Sequence, residues 1–131
     1  MRYLLDANAV IDLLNDADSR LAKRVRLESP NDIAISAVVS HELFYGAYKS
    51  GRPTQNVRMI DALQFAVLEF DKEDARQAGA IRAILASRGT PIRPYDVLIA
   101  GQALARNMIL ITRNMDEFGR VPGLRAENWS I

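Results

Sequence analysis

The chain lacks cysteine altogether and has a single histidine, His41, among its 131 residues. The absence of cysteine excludes disulfide bonds, thiolate metal sites and a cysteine nucleophile. One histidine leaves little room for a serine–histidine–aspartate triad, and none for two histidines that divide acid and base work. Long hydrophobic runs are also missing, since none approaches the roughly 18 residues that span a membrane. Asp6 also interrupts the start before any signal-peptide core forms, so we expect a cytoplasmic protein with no membrane partner.

The remaining composition is that of an ordinary globular protein, with 49% hydrophobic and 25% charged residues. A chain of this length fits one domain of roughly 100 to 200 residues, and we expect a single domain over residues 1–131. The net charge of +1 hides an uneven distribution, because residues 76–125 carry eight arginines and only three acids. Arginine on solvated helix faces explains many of these charges. An enzyme that acts on a polyanion would show the same excess, because arginine binds phosphate well.

Short apolar runs alternate with helical patterns along the chain, which predicts a mostly parallel sheet covered by helices on both faces. Ser36 is a predicted N-cap of a helix over 37–49, and Asp71 and Asp74 are a predicted capping pair. In such sheets the functional site lies at the carboxyl ends of the strands. The predicted strands are 2–5, 33–35, 66–70, 108–111 and 124–127, and the predicted helices are 9–14, 18–27, 37–49, 54–64, 71–87 and 95–106.

Four acidic regions stand where a solvated charge is hard to explain. Two of them follow predicted strands, one lies on the apolar face of a helix, and one lies in the first turn of a helix that Pro94 begins. A carboxylate buried in such places must be paired, protonated or bound to a metal. These acids are Asp6 after strand 2–5, Glu42 beside Val38 and Val39, Asp96 after Pro94, and Asp116 with Glu117 after strand 108–111.

Each acid also has a purely structural interpretation. Asp6 could cap the helix that follows it, although Asn8 could cap equally well and leave Asp6 free. Glu42 could form a buried salt bridge, and Asp96 could simply favour the helix dipole. Asp116 and Glu117 could be a solvated pair in a loop.

Together the acids favour a divalent-cation site, because oxygen ligands without histidine or cysteine suit Mg²⁺ or Mn²⁺. Such ions can activate water and stabilise the leaving oxygen in phosphodiester hydrolysis, with no histidine required. Asn8, Thr112 and Asn114 are neutral groups that could orient a ligand, a water or a phosphate, although a capping or turn role explains each equally well.

Five segments in order resemble the PIN-domain ribonucleases, and specifically the VapC-type toxins of bacterial toxin–antitoxin pairs. The segments are LLDAN, ISAVVSHELFYGAYKS, RGTPIRPYDVLIAGQALARN, ILITRNMDEF and RVPGLRAENW. Each alone is weak, but their order and spacing over essentially the whole chain are specific. The resemblance implies a PIN-like three-layer α/β/α sandwich and Mg²⁺- or Mn²⁺-dependent endonucleolytic cleavage of RNA, often structured RNA such as tRNA. It also implies a homodimer and a small VapB-type antitoxin, which binds promoter DNA through its own domain.

The resemblance carries the family's acidic site onto Asp6, Glu42 and Asp96, with Asp116 or Glu117 near the fourth position. Asp6 and Asp96 are then the principal metal ligands, Glu42 completes the site or orients a water, and Glu117, with Asp116 as the weaker candidate, serves a second metal. Two residues depart from the family pattern, since Ala7 replaces a frequent threonine and Asn114 replaces a frequent aspartate. Some relatives that resemble this chain have the same asparagine with an acid at the position of Glu117. As phosphate contacts we expect Arg93 and Arg113.

Two rival functions remain at this stage. A PIN-like module that binds RNA or a partner without cutting would be consistent with Asn114. A phosphoacceptor receiver domain also gathers carboxylates around Mg²⁺, but it requires a lysine after the last core strand and paired acids after the first. This chain has no lysine after Lys72, and Asp6 stands alone. The metal-dependent endoribonuclease is therefore the favoured interpretation.

Overall fold

The computed structural model describes all residues from Met1 to Ile131, and its centre is a five-stranded sheet in which every strand pairing is parallel. The spatial order is β3-β2-β1-β4-β5, so the first strand of the chain lies in the middle. Helices flank the sheet in a three-layer α/β/α sandwich, which confirms the predicted fold class. The strands are β1 Tyr3–Leu5, β2 Ile33–Ser36, β3 Ala66–Leu68, β4 Ile109–Ile111 and β5 Ala126–Glu127.

Seven α-helices connect and follow the strands, and none of them is long and apolar enough to cross a bilayer. The predicted caps are confirmed, since Ser36 Oγ accepts a hydrogen bond from the Val38 amide at 3.0 Å and Asp71 with Asp74 forms a capping box. The helices are α1 Ala7–Asn15, α2 Arg20–Leu27, α3 Ala37–Lys49, α4 Pro53–Asp61, α5 Lys72–Ser87, α6 Pro94–Ala105 and α7 Met115–Phe118, with a 3₁₀ turn at Pro30–Asp32.

The core is one continuous cluster of 22 buried apolar residues between the sheet and its helices. β1 and β2 are buried along their whole length, as expected for parallel strands covered on both faces. Helices α5 and α6 pack unusually closely, because a Cβ added at Gly101 would lie 2.5 Å from the Ala78 amide nitrogen. α6 is therefore fixed against its neighbour, and the acid in its first turn has a rigid support.

A buried polar network joins the same two helices on the side away from the candidate site. Asp74 is 1% exposed and accepts hydrogen bonds from Gln102 Nε2 at 3.0 Å and Arg106 Nη2 at 3.1 Å. Its carboxylate also accepts from the Asp71 amide at 2.9 Å. Because every one of these partners is an internal donor, Asp74 has a structural role and is fully compensated.

Candidate active site

The first acid, Asp6, lies where β1 ends beside the end of β4. The Asp6 amide donates to the Ile111 carbonyl at 3.1 Å, which continues the β1–β4 pairing by one residue. The side chain is 4% exposed, and its Oδ1 accepts from the Ala9 amide at 2.8 Å. Asp6 is therefore the N-cap of α1, and Asn8 lies inside the helix. Of the two capping residues that the sequence left open, the structure has Asp6, because only Asp6 precedes the first helical residue.

Capping engages one oxygen of Asp6 but does not fully compensate the carboxylate. Burial raises its pKa, and the nearby charge of Asp12 adds to that effect. Hydrogen bonds from Thr112 and Ala9 and the positive charge of Arg113 act in the opposite direction but are weaker. A buried carboxylate with a raised pKa gains free energy when a cation binds it.

Glu42 lies on α3 and faces the same region, as its position beside Val39 predicted. Its Oε1 atom is buried and has no hydrogen-bond partner. Burial raises the pKa of Glu42 and the negative charge of Asp6 raises it further, whereas Arg93 and His41 lower it. A buried carboxylate oxygen without a donor is rare and costly, so this atom is an open position for a cation or a proton donor.

The third and fourth acids form a close pair. Asp96 is 6% exposed in the first turn of α6, and Glu117 approaches it from α7. Burial, with a hydrogen bond to Glu117 and repulsion from its charge, raises the pKa of Asp96 to about 6. For Glu117, burial acts upward, but donors from Arg93, Asp96 and Asn114 outweigh it and lower its pKa. Of the two acids, Asp96 is therefore the one that takes up a proton first as the pH falls.

Arg93 stands over this pair of acids. Its Nε donates to Asp96 Oδ2 at 3.1 Å and lies 3.8 Å from Glu117 Oε2. Its backbone amide donates to Glu117 Oε1 at 2.8 Å. Asn114 Nδ2 donates to the other Glu117 oxygen, so the departure from aspartate at this position orients Glu117.

Two adjoining cavities contain most of the residues that the sequence selected. The inner one has a volume of about 130 Å³ and is lined by Asp6, Asn8, Glu42, Arg93 and Asp96. The outer one is open, has a volume of about 450 Å³, and is lined by Arg93, Asn114, Asp116, Glu117 and Arg120, with Pro91 and Ile92.

Two selected residues lie outside this arrangement or at its margin. Arg113 lines neither cavity and forms a salt bridge to Asp12 at 3.2 Å. Asp116 is exposed on the outer cavity and forms no side-chain hydrogen bond or salt bridge to the acid pair, whereas Glu117 contacts Asp96. Arg120, which no sequence motif singled out, also lines the outer cavity and donates to the Pro91 carbonyl at 3.1 Å. The one feature of the sequence that indicated a role for Arg120 is its position in the arginine-rich segment 76–125.

The site suits a hard divalent cation by its donors, which are carboxylate and amide oxygens, and by the unpartnered Oε1 of Glu42. No three histidine, aspartate or glutamate side chains converge closely enough to hold a metal ion as the side chains stand. The Arg93 guanidinium is the positive charge closest to Asp96. Binding of a metal would thus require a local movement of side chains, but no change of the fold.

An apolar groove lies beside the inner cavity, between α1, α3 and α4. Its volume is about 280 Å³, and Glu42 is the point at which it meets the acidic site. Ile11 and Met59 on its walls are 43% and 41% exposed. Of the aromatic residues on α3, Tyr45 and Tyr48 are also exposed, at 61% and 68%. The other apolar residues of the groove are Leu14, Leu43, Ala47 and Ile60.

Comparison with known proteins identifies the family of this fold and site. Residues 3–124 match the PIN domain. The chain is 37% identical over 131 residues to the tRNA(fMet)-specific endonuclease VapC of Salmonella typhimurium, and the match covers 98% of each chain. It is 39% identical over 132 residues to the protein of the same name from Shigella flexneri, with 99% of each chain covered. A chain in the crystal structure of DNA-bound VapBC from Salmonella typhimurium superposes with a TM-score of 0.94 at 37% identity, over 98% of each chain. The chain therefore belongs to the PIN-domain family and, within it, to the VapC ribonucleases.

Proposed function

We propose that this protein is a metal-dependent endoribonuclease toxin that hydrolyses phosphodiester bonds in structured RNA and is inhibited by a cognate antitoxin. The observation that carries the proposal is the inner cavity, into which Asp6, Glu42 and Asp96 come from three different elements of a VapC-family chain. Structural acids would be paired, as Asp74 is, whereas Glu42 has an oxygen without a partner. This contrast favours a catalytic role over a purely structural one.

Mg²⁺ or Mn²⁺ is the cation we propose, held by Asp6 and Asp96, with Glu117 serving the same or a second ion. When bound, the ion supplies charge to polarise the phosphate and to favour ionisation of water. Glu42 is placed to accept a proton from the attacking water, since its pKa is raised and its Oε1 is free. Asp116 stays a weaker candidate, because it is exposed and lies on the outer cavity.

For the RNA, we propose that Arg93, Asn8 and Asn114 contact phosphate or sugar groups at the two cavities. Arg113 would have to leave Asp12 to do the same. The two relatives named as tRNA(fMet)-specific endonucleases make initiator tRNA the first substrate to test. We place the activity in the cytoplasm, where this substrate is found.

The antitoxin would occupy the apolar groove between α1, α3 and α4 with an amphipathic segment. Glu42 lies where the groove meets the inner cavity, so a basic side chain on that segment would reach the acids. The solved VapBC relatives include complexes with DNA, and we propose that this chain meets promoter DNA only through its antitoxin. We also propose a homodimer, for which Tyr45 and Tyr48 offer exposed aromatic surface.

The test is cleavage of total tRNA, and then of purified initiator tRNA, by the wild-type protein in Mn²⁺, Mg²⁺ or EDTA. Wild type should give discrete products only with metal, and Asp6→Asn and Asp96→Asn should lower the rate by at least about a hundredfold. Asparagine at position 6 can still cap α1, so circular dichroism and antitoxin binding should match those of wild type.

Three outcomes would contradict the proposal. Cleavage in EDTA would contradict the proposed metal dependence. Full activity of Asp6→Asn would contradict the proposed role of Asp6 as a metal ligand. A folded wild-type protein that neither cleaves RNA nor binds Mn²⁺ would instead favour a non-catalytic module that binds RNA or a partner, for which the Asn114 departure is the supporting feature.

A further inference from the structure

Arg93 contacts both members of the acid pair from one position at the start of α6. It is the N-cap residue of that helix, and its own side chain makes no capping bond. The guanidinium Nε lies 3.1 Å from Asp96 Oδ2 and 3.8 Å from Glu117 Oε2. One positive charge thus bridges the two carboxylates that the proposed metal would use.

The two acids are largely buried, whereas the side chain of Arg93, their counter-ion, is exposed to solvent. The side chains of Asp96 and Glu117 are 8% and 14% exposed, but that of Arg93 is 68% exposed. The Arg93 backbone amide bonds Glu117 independently at 2.8 Å, so this anchor survives if the guanidinium leaves. An exposed arginine in an ion pair is held by only a small net free energy and rotates readily into solvent. Displacement of the side chain therefore costs little and disturbs no backbone.

Arg93 also separates the two cavities, since it is the residue common to the linings of both. On its inner side are Asp6, Glu42 and Asp96. On its outer side are Asn114, Asp116, Glu117 and Arg120 in an open pocket of about 450 Å³. A guanidinium that leaves the acids would enter this pocket, where Arg120 already provides a positive charge for a phosphate.

We infer that Arg93 is a built-in counter-ion that occupies the cation position of Asp96 and Glu117 until a divalent metal displaces it, and that the released guanidinium then binds RNA phosphate. The inference rests on the proposed metal-dependent function and assigns Arg93 two sequential roles. Metal and arginine compete because each neutralises the same two oxygens. RNA binding follows metal binding because the guanidinium is free for a phosphate only after it has left the carboxylates.

The first test is Mn²⁺ affinity measured by isothermal titration calorimetry without RNA. Arg93→Gln removes the competing charge and should bind Mn²⁺ roughly three- to fivefold more tightly than wild type, because the metal no longer displaces an ion pair whose net free energy is small. Arg120→Gln is the matched control, because it removes the same charge from the same pocket, but the Arg120 guanidinium donates to the Pro91 carbonyl and to neither carboxylate of the acid pair. Its Mn²⁺ affinity should stay within about twofold of wild type. An affinity of Arg93→Gln equal to or weaker than wild type would overturn the inference.

The second test observes the guanidinium directly, through the ¹⁵N–¹H resonance of arginine Nε during titration with diamagnetic Mg²⁺. The Arg93 signal, assigned by its loss in Arg93→Gln, should shift and lose its protection from solvent exchange as the metal binds. The internal control is Arg106, whose Nε donates to Asp74 Oδ1 at a distance of 3.3 Å. This bond does not involve the acid pair, so the Arg106 signal should not shift. An unmoved Arg93 signal at saturating Mg²⁺ would refute displacement.

The two experiments separate failure of this inference from failure of the proposed function. If neither wild type nor Arg93→Gln binds a divalent ion, the metal-dependent function itself is wrong. If both bind equally and the wild-type protein cleaves RNA, the function stands and only the counter-ion role is lost.

Discussion

Two carboxylates with opposite surroundings, the half-buried Glu42 and the buried Asp74, allow a sharp test of the physical argument. Glu42 has a buried oxygen without any donor, whereas Asp74 accepts bonds from Arg106, Gln102 and the Asp71 amide. We predict that Glu42→Gln stabilises the metal-free protein and that Asp74→Asn destabilises it, although each change removes one carboxylate charge.

The expected gain for Glu42→Gln follows from the cost of its unpartnered oxygen. Burial, the largest cause, and the charge of Asp6 raise the pKa of Glu42, so the ionised form opposes folding. An unsatisfied buried polar group costs about 1–3 kcal/mol, and glutamine keeps part of that cost, which leaves a gain of about 1 kcal/mol. For a domain of this size the melting temperature should rise by about 3–5 °C.

The loss for Asp74→Asn follows from the partners that it leaves behind. Burial raises the pKa of Asp74, but hydrogen bonds from Arg106, the Asp71 amide and Gln102 outweigh it and the net pKa is lowered. Removal of one partner from a buried ion pair costs about 3–5 kcal/mol, and because Arg106 is 31% exposed we expect about 2–3 kcal/mol.

The two variants should also differ in their pH dependence. Because the pKa of Glu42 is higher in the folded than in the unfolded protein, its ionisation lowers the free energy of unfolding as the pH rises through the interval between these two pKa values. The stabilisation by Glu42→Gln should therefore be present at pH 7 and vanish below about pH 4. The lowered pKa of Asp74 means that its contribution is complete above the unfolded value and is lost as the pH falls through the folded one.

Urea and thermal unfolding in EDTA at pH 7 and near pH 4 measure both effects. Glu73→Gln is the control, because Glu73 pairs with Arg76 at 3.0 Å on an exposed surface and its loss should change stability by less than about 0.5 kcal/mol. If Glu42→Gln and Asp74→Asn destabilise the protein equally at pH 7, the distinction between the unpartnered carboxylate of Glu42 and the hydrogen-bonded carboxylate of Asp74 is wrong.

Two further predictions concern the metal and the antitoxin. Because the pKa of Asp96 is raised to about 6, metal binding must displace its proton in acid, and calorimetry should show Mn²⁺ affinity falling about tenfold per pH unit below pH 6. An affinity that does not change between pH 5 and 7 would contradict this. Met59→Glu places a charge in the apolar groove and should weaken antitoxin binding by at least about tenfold, whereas Ile84→Glu, on an exposed position of α5, should not. Equal effects of the two substitutions in a pull-down titration would contradict the proposal that the antitoxin binds in the groove.

The sequence predicted most of the fold because its strands and helices carry unambiguous boundary signals. Ser36 as a cap and the stop at Ser50 and Gly51 place α3 at Ala37–Lys49, the predicted range. Helix α7 was missed, because four residues at Met115–Phe118 are too short to show a helical period. The cap of α1 was ambiguous, because Asp6 and Asn8 are both good capping residues, and only the backbone geometry separates them.

The sequence also identified the candidate acids, but it predicted only some of the contacts that they make. Adjacent parallel strands explain why Asp6 and the segment after β4 meet, and this could be foreseen. The preference for Glu117 over Asp116 agrees with the short helix α7, which turns Glu117 toward Asp96 and leaves Asp116 exposed, while its role in metal binding stays a prediction. The contact of Arg93 with both acids could not be foreseen, because it depends on α7, a short helix without a sequence signal, which brings Glu117 to the start of α6.

The position of β1 in the middle of the sheet has a consequence for the synthesis of the protein. β1 is made first, but one of its two neighbours, β4, emerges from the ribosome only after most of the chain, and Glu117 follows still later. Until then Asp6 lacks the Ile111 carbonyl beside it, and Asp96 lacks its acidic partner. A nascent chain thus cannot assemble the complete acidic site until β4 and α7 have been made.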